Sequence, residues 1–425
     1  MSSQDESFLR FDDEGLTSIG TADLVCFSHL RWNFVFQRPQ HLLSRFARDH
    51  RVFFFEEPVY EAISAPQLNV KLSPENVFVA TPILPEDLRE ESNRDRRHAH
   101  LRSLLDSLLD EKECCDLTLW YYTPMALQFT DHLEPRAIVY DCMDELSLFK
   151  HAPPELLPLE RDLLSRAHVV FTGGHSLYEA KQHLHRNIHP FPSSIEFDHF
   201  AKARNKQEIE PEDQSTIAHP RVGFYGVIDE RFDIDLLGAV AKLRPDIQFV
   251  MIGPVVKIDP AHLPKSDNIH YLGMKSYAEL PKYLAGWDAA IMPFAKNDST
   301  RFISPTKTPE FLAAGRPVVS TSIRDVIRPY SEMGLVEIAD EPQAFAEALD
   351  RALRLPHEDR EWIARVDGFL VHNSWDLTQQ KMATLVQAAM DQAVEDELVR
   401  GLDFDNLARE LADSLKEGPH ATRPN

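Results

Sequence analysis

A short segment in the second half of the chain carries a lysine and a glutamate where a helix is predicted to begin. The segment Ser304–Gly315 reads SPTKTPEFLAAG; it follows an apolar strand and ends at a glycine suited to a helix C-terminus. Backbone amides near Pro305 and Thr306, together with the Lys307 ammonium group, favour a bound anion. One turn further on, the Glu310 carboxylate can accept hydrogen bonds from two vicinal hydroxyls, as in a ribose. A Glu310 that only complements the helix dipole is the alternative.

A second segment joins a predicted strand to a loop that contains a glycine and an arginine. Gly226 follows the strand Arg221–Tyr225, and Arg231 comes five residues later. Glycine lets a ligand approach the backbone closely, and a guanidinium group binds phosphate with two parallel hydrogen bonds. A weak surface pair of Arg231 with Glu230 or Asp233 is the alternative. The sequence lacks GxGxxG, which disfavours a nicotinamide-dependent dehydrogenase, and lacks GxxxxGK[ST], which excludes a P-loop.

The first half of the chain carries polar residues after two predicted strands. The loop Phe27–His41 contains His29, which could donate a hydrogen bond or carry a proton, and Arg31, which could bind phosphate. An aromatic structural loop with exposed arginines is the alternative. Asp141 and Asp144 follow another strand and suit general-base work or recognition of sugar hydroxyls. Helix capping by these aspartates is the alternative, and we predict no metal site because no histidine is adjacent.

Short apolar runs alternate with helical patterns, which predicts an α/β protein with a doubly wound parallel sheet in each half. The predicted strands are Asp23–Ser28, Arg51–Phe55, Leu117–Tyr122, Ala137–Asp141, His168–Thr172, Arg221–Tyr225, Ile247–Met251, Ile269–Leu272, Trp287–Met292 and Pro317–Ser320. The expected units are a tail (1–20), a first domain (21–199 with 375–395), a linker (200–218), a second domain (219–374) and an acidic tail helix (396–425). Ligands of such sheets bind at the carboxyl ends of the strands, so we expect a site in the cleft between the domains.

Charge and glycine placement narrow the classes of partner. Lysine and arginine number 45 against 68 aspartates and glutamates, a net charge of −23, which argues against nucleic acid as the main partner. We expect a cytoplasmic protein without a secretion signal or membrane span. Arginines on the predicted helix Glu86–Leu109 leave peripheral contact with the inner face of a membrane open. No glycine lies between Gly20 and Gly173, so a glycine-built phosphate site is expected in the second half.

Taken together, these motifs resemble the family-4 (group 1) glycosyltransferases of the GT-B fold. The family pattern P-x-K-x-x-E-x-x-A-x-G-x-P-V-V is matched from Pro305 to Val319, and Gly226 and Arg231 match its glycine loop and the basic residue after it. The loop Phe27–His41 and residues 140–145 are similar to a subgroup around teichuronic-acid and exopolysaccharide transferases. Ser374-Trp375-Asp376 looks like the crossover helix that returns to the first domain. Phe302 occupies the position of the first acid in the family's EX7E motif.

The resemblance implies a retaining, metal-independent glycosyltransferase that needs no cofactor and takes a nucleotide-diphospho-sugar as its substrate. Glu310 would hold the ribose, while Lys307, Arg231 and the amides around Pro305 and Thr306, with Gly226 nearby, would hold the diphosphate. His29, Arg31, Asp141 and Asp144 would form the catalytic set on the acceptor side. The acceptor would be a hydroxyl of a saccharide or lipid-linked saccharide in cell-surface polysaccharide synthesis. A GT-B nucleotide-sugar epimerase and a non-catalytic nucleotide-sugar-binding protein are the alternatives.

Overall fold

The structure, a computed structural model, describes residues 23–205 and 209–401. The predicted N-terminal tail (1–20) and the part of the acidic tail helix beyond residue 401 lie outside the described residues. Two β-sheets, each flanked by helices, form the described part of the chain, as the sequence predicts.

The first sheet contains nine strands in the order β3-β5-β2-β1-β6-β7-β8-β9, and β4 pairs with β5. The ladders are parallel except between β4 and β5. Its central strands are buried along their whole length, as expected for a sheet covered by helices on both faces. The strands are β1 (Asp23–Ser28), β2 (Val52–Glu56), β3 (Val59–Glu61), β4 (Gln67–Leu72), β5 (Val77–Pro85), β6 (Leu117–Tyr121), β7 (Ala137–Cys142), β8 (Val169–Thr172) and β9 (Ile188–Pro190).

Five helices accompany the first sheet, and two short ones lead to the second. They are α1 (Arg38–Phe46), α2 (Arg94–Glu111), α3 (Leu127–Thr130), α4 (Leu156–Arg166), α5 (His175–Lys181), α6 (Phe197–Ala201) and α7 (Glu212–Ser215). Leucines of α2 and α4 cover one face of the sheet. On the opposite face, α1 packs beside Trp375 and Met382.

The second sheet contains six parallel strands in the order β12-β11-β10-β13-β14-β15. They are β10 (Arg221–Tyr225), β11 (Gln248–Ile252), β12 (Ile269–Tyr271), β13 (Ala289–Met292), β14 (Val318–Ser320) and β15 (Val336–Ile338). The helices that follow are α8 (Ile234–Leu243), α9 (Leu280–Ala285), α10 (Lys307–Ala313), α11 (Arg324–Val326), α12 (Pro342–Glu358), α13 (Trp362–Leu370) and α14 (Trp375–Gly401). α14 packs against α1, β7 and β8 of the first sheet.

Residues 59–85 contain three strands, β3 to β5, that the sequence pattern did not predict. Strand β4 is an antiparallel outer strand with mostly exposed side chains, so it lacks the apolar run that marked the central strands. Strand β5 carries Pro82 and Pro85, and proline argues against a strand interior. The long helix predicted from Glu86 begins only at Arg94, after two short 3₁₀ turns.

The segment predicted as a linker contributes to the core of the second domain. Gln214 is fully buried, donates to the Tyr283 carbonyl (2.9 Å) and accepts from the Trp287 indole (2.8 Å). The polar composition that suggested a connector therefore includes a buried side chain whose hydrogen bonds are satisfied. Within the described residues, no helix combines the length and apolar character needed to cross a membrane.

Candidate active site

Two neighbouring cavities lie between the sheets, at the carboxyl ends of their strands. The first, which we call the Glu310 cavity, measures about 330 Å³, and the second, the Asp144 cavity, about 140 Å³. Val35, Gly226 and Lys307 line both of them. The shared residues make the two cavities one continuous cleft, with walls from both sheets.

The Glu310 carboxylate lies in the wall of the first cavity and is held by a tyrosine. It is only 6% exposed, and its Oε2 accepts a 2.6 Å hydrogen bond from the Tyr225 hydroxyl. Burial raises the pKa of the Glu310 carboxyl, whereas the positive charge of Lys307 and the hydrogen bond from Tyr225 oppose that rise. A carboxylate fixed in this way, with its other oxygen available, can accept hydrogen bonds from ligand hydroxyls.

Lys307 is the first residue of α10 and stands where the two cavities meet. Its Nζ donates to the Thr306 hydroxyl (2.8 Å) and lies 5.6 Å from the centre of the Tyr225 ring. Pro305 and Thr306 line the Asp144 cavity beside it. Since α10 has only seven residues, the lysine charge is the main attraction for an anion here.

Gly226 has a conformation and surroundings that restrict this position to glycine. Its φ is +149°, and an added Cβ would lie 3.1 Å from the Phe224 ring and 3.3 Å from Lys307 Cε. Gly253 on the adjacent loop has φ +138°, and a Cβ there would lie 1.9 Å from the Gly226 carbonyl oxygen. The two loops therefore pack backbone against backbone and leave the cleft open above them.

The Asp144 cavity brings one carboxylate together with two arginines. Asp144 comes from the loop after β7, Arg231 from the loop after β10, and Arg38 from the start of α1. Burial raises the pKa of Asp144 to about 6, with the neighbouring positive charges of Arg231 and Arg38 opposing the rise. Arg231 is paired with Asp229 through hydrogen bonds of 2.8–3.2 Å, rather than with Glu230 or Asp233. The cavity therefore combines groups suited to an anion and a hydroxyl.

The assignment of Asp141 to the catalytic set requires correction. Asp141 is fully buried and does not line either cavity; its oxygens accept hydrogen bonds of 2.8–3.1 Å from the Arg38 guanidinium group. Arg38 also donates to the Phe191 carbonyl at 2.7 Å. A carboxylate committed to a buried arginine in this way fixes the arginine's position, so Asp141 holds Arg38 in the cleft wall.

His29 and Arg31 also lie outside the two cavities. Arg31 donates to the Glu56 carboxylate (3.1 Å) and to the Pro58 carbonyl (3.2 Å), both within the first domain. Burial, aided by Lys257, lowers the pKa of His29 to about 4, so its imidazole is neutral at pH 7. Arg31 therefore ties its loop to the end of β2, and the structure brings neither residue together with Asp144 in the cleft.

The sequence of the second domain matches a known family. Residues 219–354 match the family model described as "Glycosyl transferases group 1". The second domain is a group 1 glycosyltransferase domain. The chain is also 26% identical over 249 residues to the "Putative teichuronic acid biosynthesis glycosyltransferase TuaH" of Bacillus subtilis (strain 168), which covers 52% of this chain and 61% of that protein. The chain thus matches less than two thirds of that relative's length.

Solved structures show that the described part of the chain has the GT-B fold. The E. coli structure described as trehalose-6-phosphate bound with UDP-2-fluoro glucose has a TM-score of 0.64 and 15% identity, covering 86% of this chain and 99% of that one. Sucrose-phosphate synthase from Thermosynechococcus elongatus has a TM-score of 0.56 and 14% identity, covering 90% and 99%. The catalytic domain of starch synthase IV from Arabidopsis thaliana has a TM-score of 0.62 and 11% identity, covering 87% and 99%.

Several side chains that line the cleft were not among the predicted site residues. Tyr225 and Tyr277 line the Glu310 cavity from the second domain, and Phe36 lines it from the first. The Phe36 and Tyr277 rings are stacked with centroids 4.7 Å apart. Tyr277 follows the carboxyl end of β12, so the strand-end rule could have found it. The contact with Phe36 joins the two domains, which no local pattern reveals.

Proposed function

We propose that this protein is a retaining, metal-independent glycosyltransferase that transfers a sugar from a nucleotide-diphospho-sugar to an acceptor hydroxyl. The observation that carries the proposal is the continuous cleft in which Glu310 and Lys307 of the second domain face Asp144 of the first. A donor lying along this cleft would contact the Glu310 carboxylate, the Lys307 ammonium group and the Asp144 carboxylate in turn.

The donor nucleotide is assigned to the Glu310 cavity. The Glu310 carboxylate accepts hydrogen bonds from the two ribose hydroxyls, while Tyr225 keeps the carboxylate in place. The base lies between the loops after β11 and β12, which contribute Pro254 and Ser276 to the wall. The cavity of about 330 Å³ falls within the size range of small-molecule sites.

The diphosphate is assigned to the junction of the two cavities, where Lys307 lies, with Arg231 in the adjoining wall of the Asp144 cavity. As the bond between the sugar's anomeric carbon and the phosphate oxygen breaks, negative charge develops on the leaving diphosphate. The ammonium and guanidinium groups stabilise that charge, the task that a divalent cation performs in metal-dependent enzymes. Gly226 lets the phosphates approach the backbone closely.

The acceptor hydroxyl is assigned to the Asp144 side of the cleft. Its oxygen forms the new bond on the face of the sugar that the diphosphate leaves, which retains the anomeric configuration, and its proton passes to the departing phosphate. Asp144 orients that hydroxyl by accepting a hydrogen bond. Closure of the two domains excludes water, so that transfer is favoured over hydrolysis.

The acceptor class follows from the relative rather than from the cleft. The B. subtilis protein is named for teichuronic acid biosynthesis; by analogy, we assign this chain a saccharide or lipid-linked acceptor in cell-surface polysaccharide synthesis. The reaction would then take place in the cytoplasm, with peripheral contact at the inner face of the membrane. Binding of nucleic acid is not part of this role.

Calorimetric titration with UDP-, GDP-, ADP- and TDP-sugars tests the donor site. We expect one nucleotide series to bind, and Lys307→Ala and Glu310→Gln each to weaken that binding about tenfold or more, since each removes interactions with a charged group. Lys296→Ala is the matched control, because Lys296 is exposed and pairs with Asp340 away from the cleft. Unchanged affinity in both cleft variants would refute the assignment.

Incubation of the bound donor without an acceptor separates the alternative functions. A transferase yields slow hydrolysis alone, whereas an epimerase converts the donor into a second nucleotide-sugar. A non-catalytic binding protein shows neither hydrolysis nor transfer to any acceptor. Phe302 occupies the position of the family's first acid and packs against the apolar core of the first domain. We therefore assign this side chain no role in donor chemistry.

A further inference from the structure

A third cavity, of about 350 Å³, lies in the first domain beside α2, which contributes Arg94, Arg97 and Leu101 to its lining. We call it the Glu57 cavity. Ser28, Glu56 and Thr123 line it at the carboxyl ends of β1, β2 and β6, and its described lining residues differ from those of the other two cavities. Aromatic rings, including those of Phe55 and Phe129, form its floor. It therefore opens along the same sheet edge as Asp144.

The charged groups around the Glu57 cavity largely neutralise one another. Arg94 lies 3.2 Å from the Glu155 carboxylate and 3.3 Å from that of Glu91. Arg97 donates to the Leu88 carbonyl (3.0 Å) and lies 3.5 Å from Glu91. Because these guanidinium groups already have partners, the rim offers little unpaired positive charge to an anionic ligand.

Polar groups with free hydrogen-bonding capacity remain at the mouth of the cavity. The Glu57 side chain is exposed there, and among the described residues its carboxylate accepts no hydrogen bond that would occupy it. Tyr60 is half-buried beside it, with the Arg89 guanidinium group 5.1 Å from its ring centre. A free carboxylate next to aromatic surface can bind vicinal hydroxyls and the apolar face of a sugar ring.

We propose that the Glu57 cavity binds a neutral saccharide unit of the acceptor, with Glu57 accepting hydrogen bonds from its hydroxyls. This inference rests on the glycosyltransferase function proposed above, and it specifies the acceptor's chemistry. The paired rim selects against a phosphate or uronate in this cavity. The aromatic floor supplies contact area for the sugar ring.

The position of the cavity also sets the acceptor's length. Strand β2, which precedes Glu57, and β7, which precedes Asp144, are three strands apart in the sheet order. At the usual strand spacing, that separation is about 14 Å. An acceptor that reaches from the Glu57 cavity to the reacting hydroxyl at Asp144 therefore contains more than one sugar unit.

Transfer kinetics with chosen acceptors test this proposal, using the donor that the wild-type protein binds. The probes are neutral monosaccharides and trisaccharides, each free and as an octyl glycoside, together with a galacturonic acid trisaccharide and a prenyl phosphate. We expect neutral trisaccharides to have a KM at least tenfold below that of the monosaccharides. The free and octyl forms distinguish a soluble acceptor from a lipid-linked one that presents the same saccharide.

Substitutions at the cavity mouth distinguish binding there from general damage. Glu57→Ala and Tyr60→Ala should each raise the KM for a trisaccharide about tenfold, while kcat, the donor KM and donor hydrolysis stay unchanged. Glu61→Ala is the control, since it removes an exposed carboxylate four residues away that does not line the cavity. Wild-type kinetics in both cavity variants would overturn the proposal.

Two further results would also overturn it. One is transfer to the prenyl phosphate or the uronic trisaccharide alone; the other is a donor that is bound and hydrolysed while no neutral saccharide is accepted. Failure of the proposed glycosyltransferase function gives a different result, because the wild-type protein would then bind no nucleotide-sugar, or would bind it without hydrolysis or transfer.

Discussion

The Tyr225 hydroxyl and the Glu310 carboxylate are joined by a 2.6 Å hydrogen bond between the end of β10 and the first turn of α10. This bond fixes the carboxylate to which we assign the ribose of the donor. It also lowers the pKa of Glu310 against the effect of burial. The strand and the helix are thus connected directly at the proposed nucleotide site.

We expect Tyr225→Phe to weaken nucleotide binding several-fold, the cost of one hydrogen bond to a charged group. Its loss leaves Glu310 with a higher pKa, so nucleotide affinity should begin to fall at a higher pH than in the wild type as the solution is acidified. Calorimetric titrations between pH 5 and 8 measure both effects. An affinity and pH profile equal to those of the wild type would show that Tyr225 does not position Glu310.

The raised pKa of Asp144 predicts a specific pH dependence of transfer. Burial raises that pKa to about 6, against an ordinary value of about 3.9. As the pH falls through 6, Asp144 therefore becomes protonated. It then no longer offers the carboxylate that receives a hydrogen bond from the substrate hydroxyl. We expect the transfer rate to decline below pH 6, and Asp144→Asn to lower the rate strongly and to remove this titration step. Nucleotide binding by the variant serves as the control.

The same shift predicts an effect of Asp144→Asn on stability. A carboxyl group whose pKa is higher in the folded state than in the unfolded one costs stability where it is ionised, and the cost disappears as the pH falls through the two pKa values. We expect the variant to melt at a higher temperature than the wild type at pH 7.5. The difference should shrink below pH 6 and vanish near pH 4. Equal melting temperatures at pH 7.5 would contradict the buried environment of Asp144.

The pairing of Arg38 with Asp141 predicts that Asp141 acts on folding and on Arg38, not on the substrate. Asp141→Asn leaves the buried guanidinium group without its counter-charge, which costs about 3–5 kcal/mol in comparable buried pairs. Urea unfolding measures the loss. The double variant Arg38→Met with Asp141→Leu should recover most of that stability, since it removes both charges. A single variant that unfolds like the wild type but has lost turnover would support a catalytic Asp141 instead.

Sequence patterns predicted the strands and the helix around Lys307 and Glu310 well, because this part of the second domain is continuous in the chain. Lys307, Glu310 and Gly315 occupy one strand–helix–strand unit, and the local spacing fixes which of them share the start of α10. The buried strands were equally visible as short apolar runs. Prolines and exposed side chains hid β4 and β5, where the local pattern departs from that of a buried strand.

The first domain was harder to interpret because polar residues at strand ends have several possible partners. Asp141 and Asp144 are three residues apart, yet one is locked to Arg38 and the other faces the cleft. Which aspartate forms hydrogen bonds with Arg38 depends on α1, about a hundred residues earlier in the chain. Arg31 likewise pairs with Glu56 rather than entering the cleft. Such choices are made by tertiary contacts, so the types and spacing of the residues left them open.

The stacked rings of Phe36 and Tyr277 predict a link between domain closure and nucleotide binding. Phe36 belongs to the first domain and Tyr277 to the second; their centroids are 4.7 Å apart, and both line the Glu310 cavity. A contact of this kind contributes about 0.5–1.5 kcal/mol. We expect Phe36→Ala to favour a more open arrangement, with a larger radius of gyration in small-angle scattering and weaker nucleotide binding. Saturating nucleotide should restore the compact form, since a ligand that binds the closed state shifts the population toward it.

Phe78→Ala is the matched control, because Phe78 stacks on Phe53 within the first domain, with centroids 5.2 Å apart. If both variants change the scattering equally, or if neither does, the Phe36–Tyr277 contact does not hold the cleft closed.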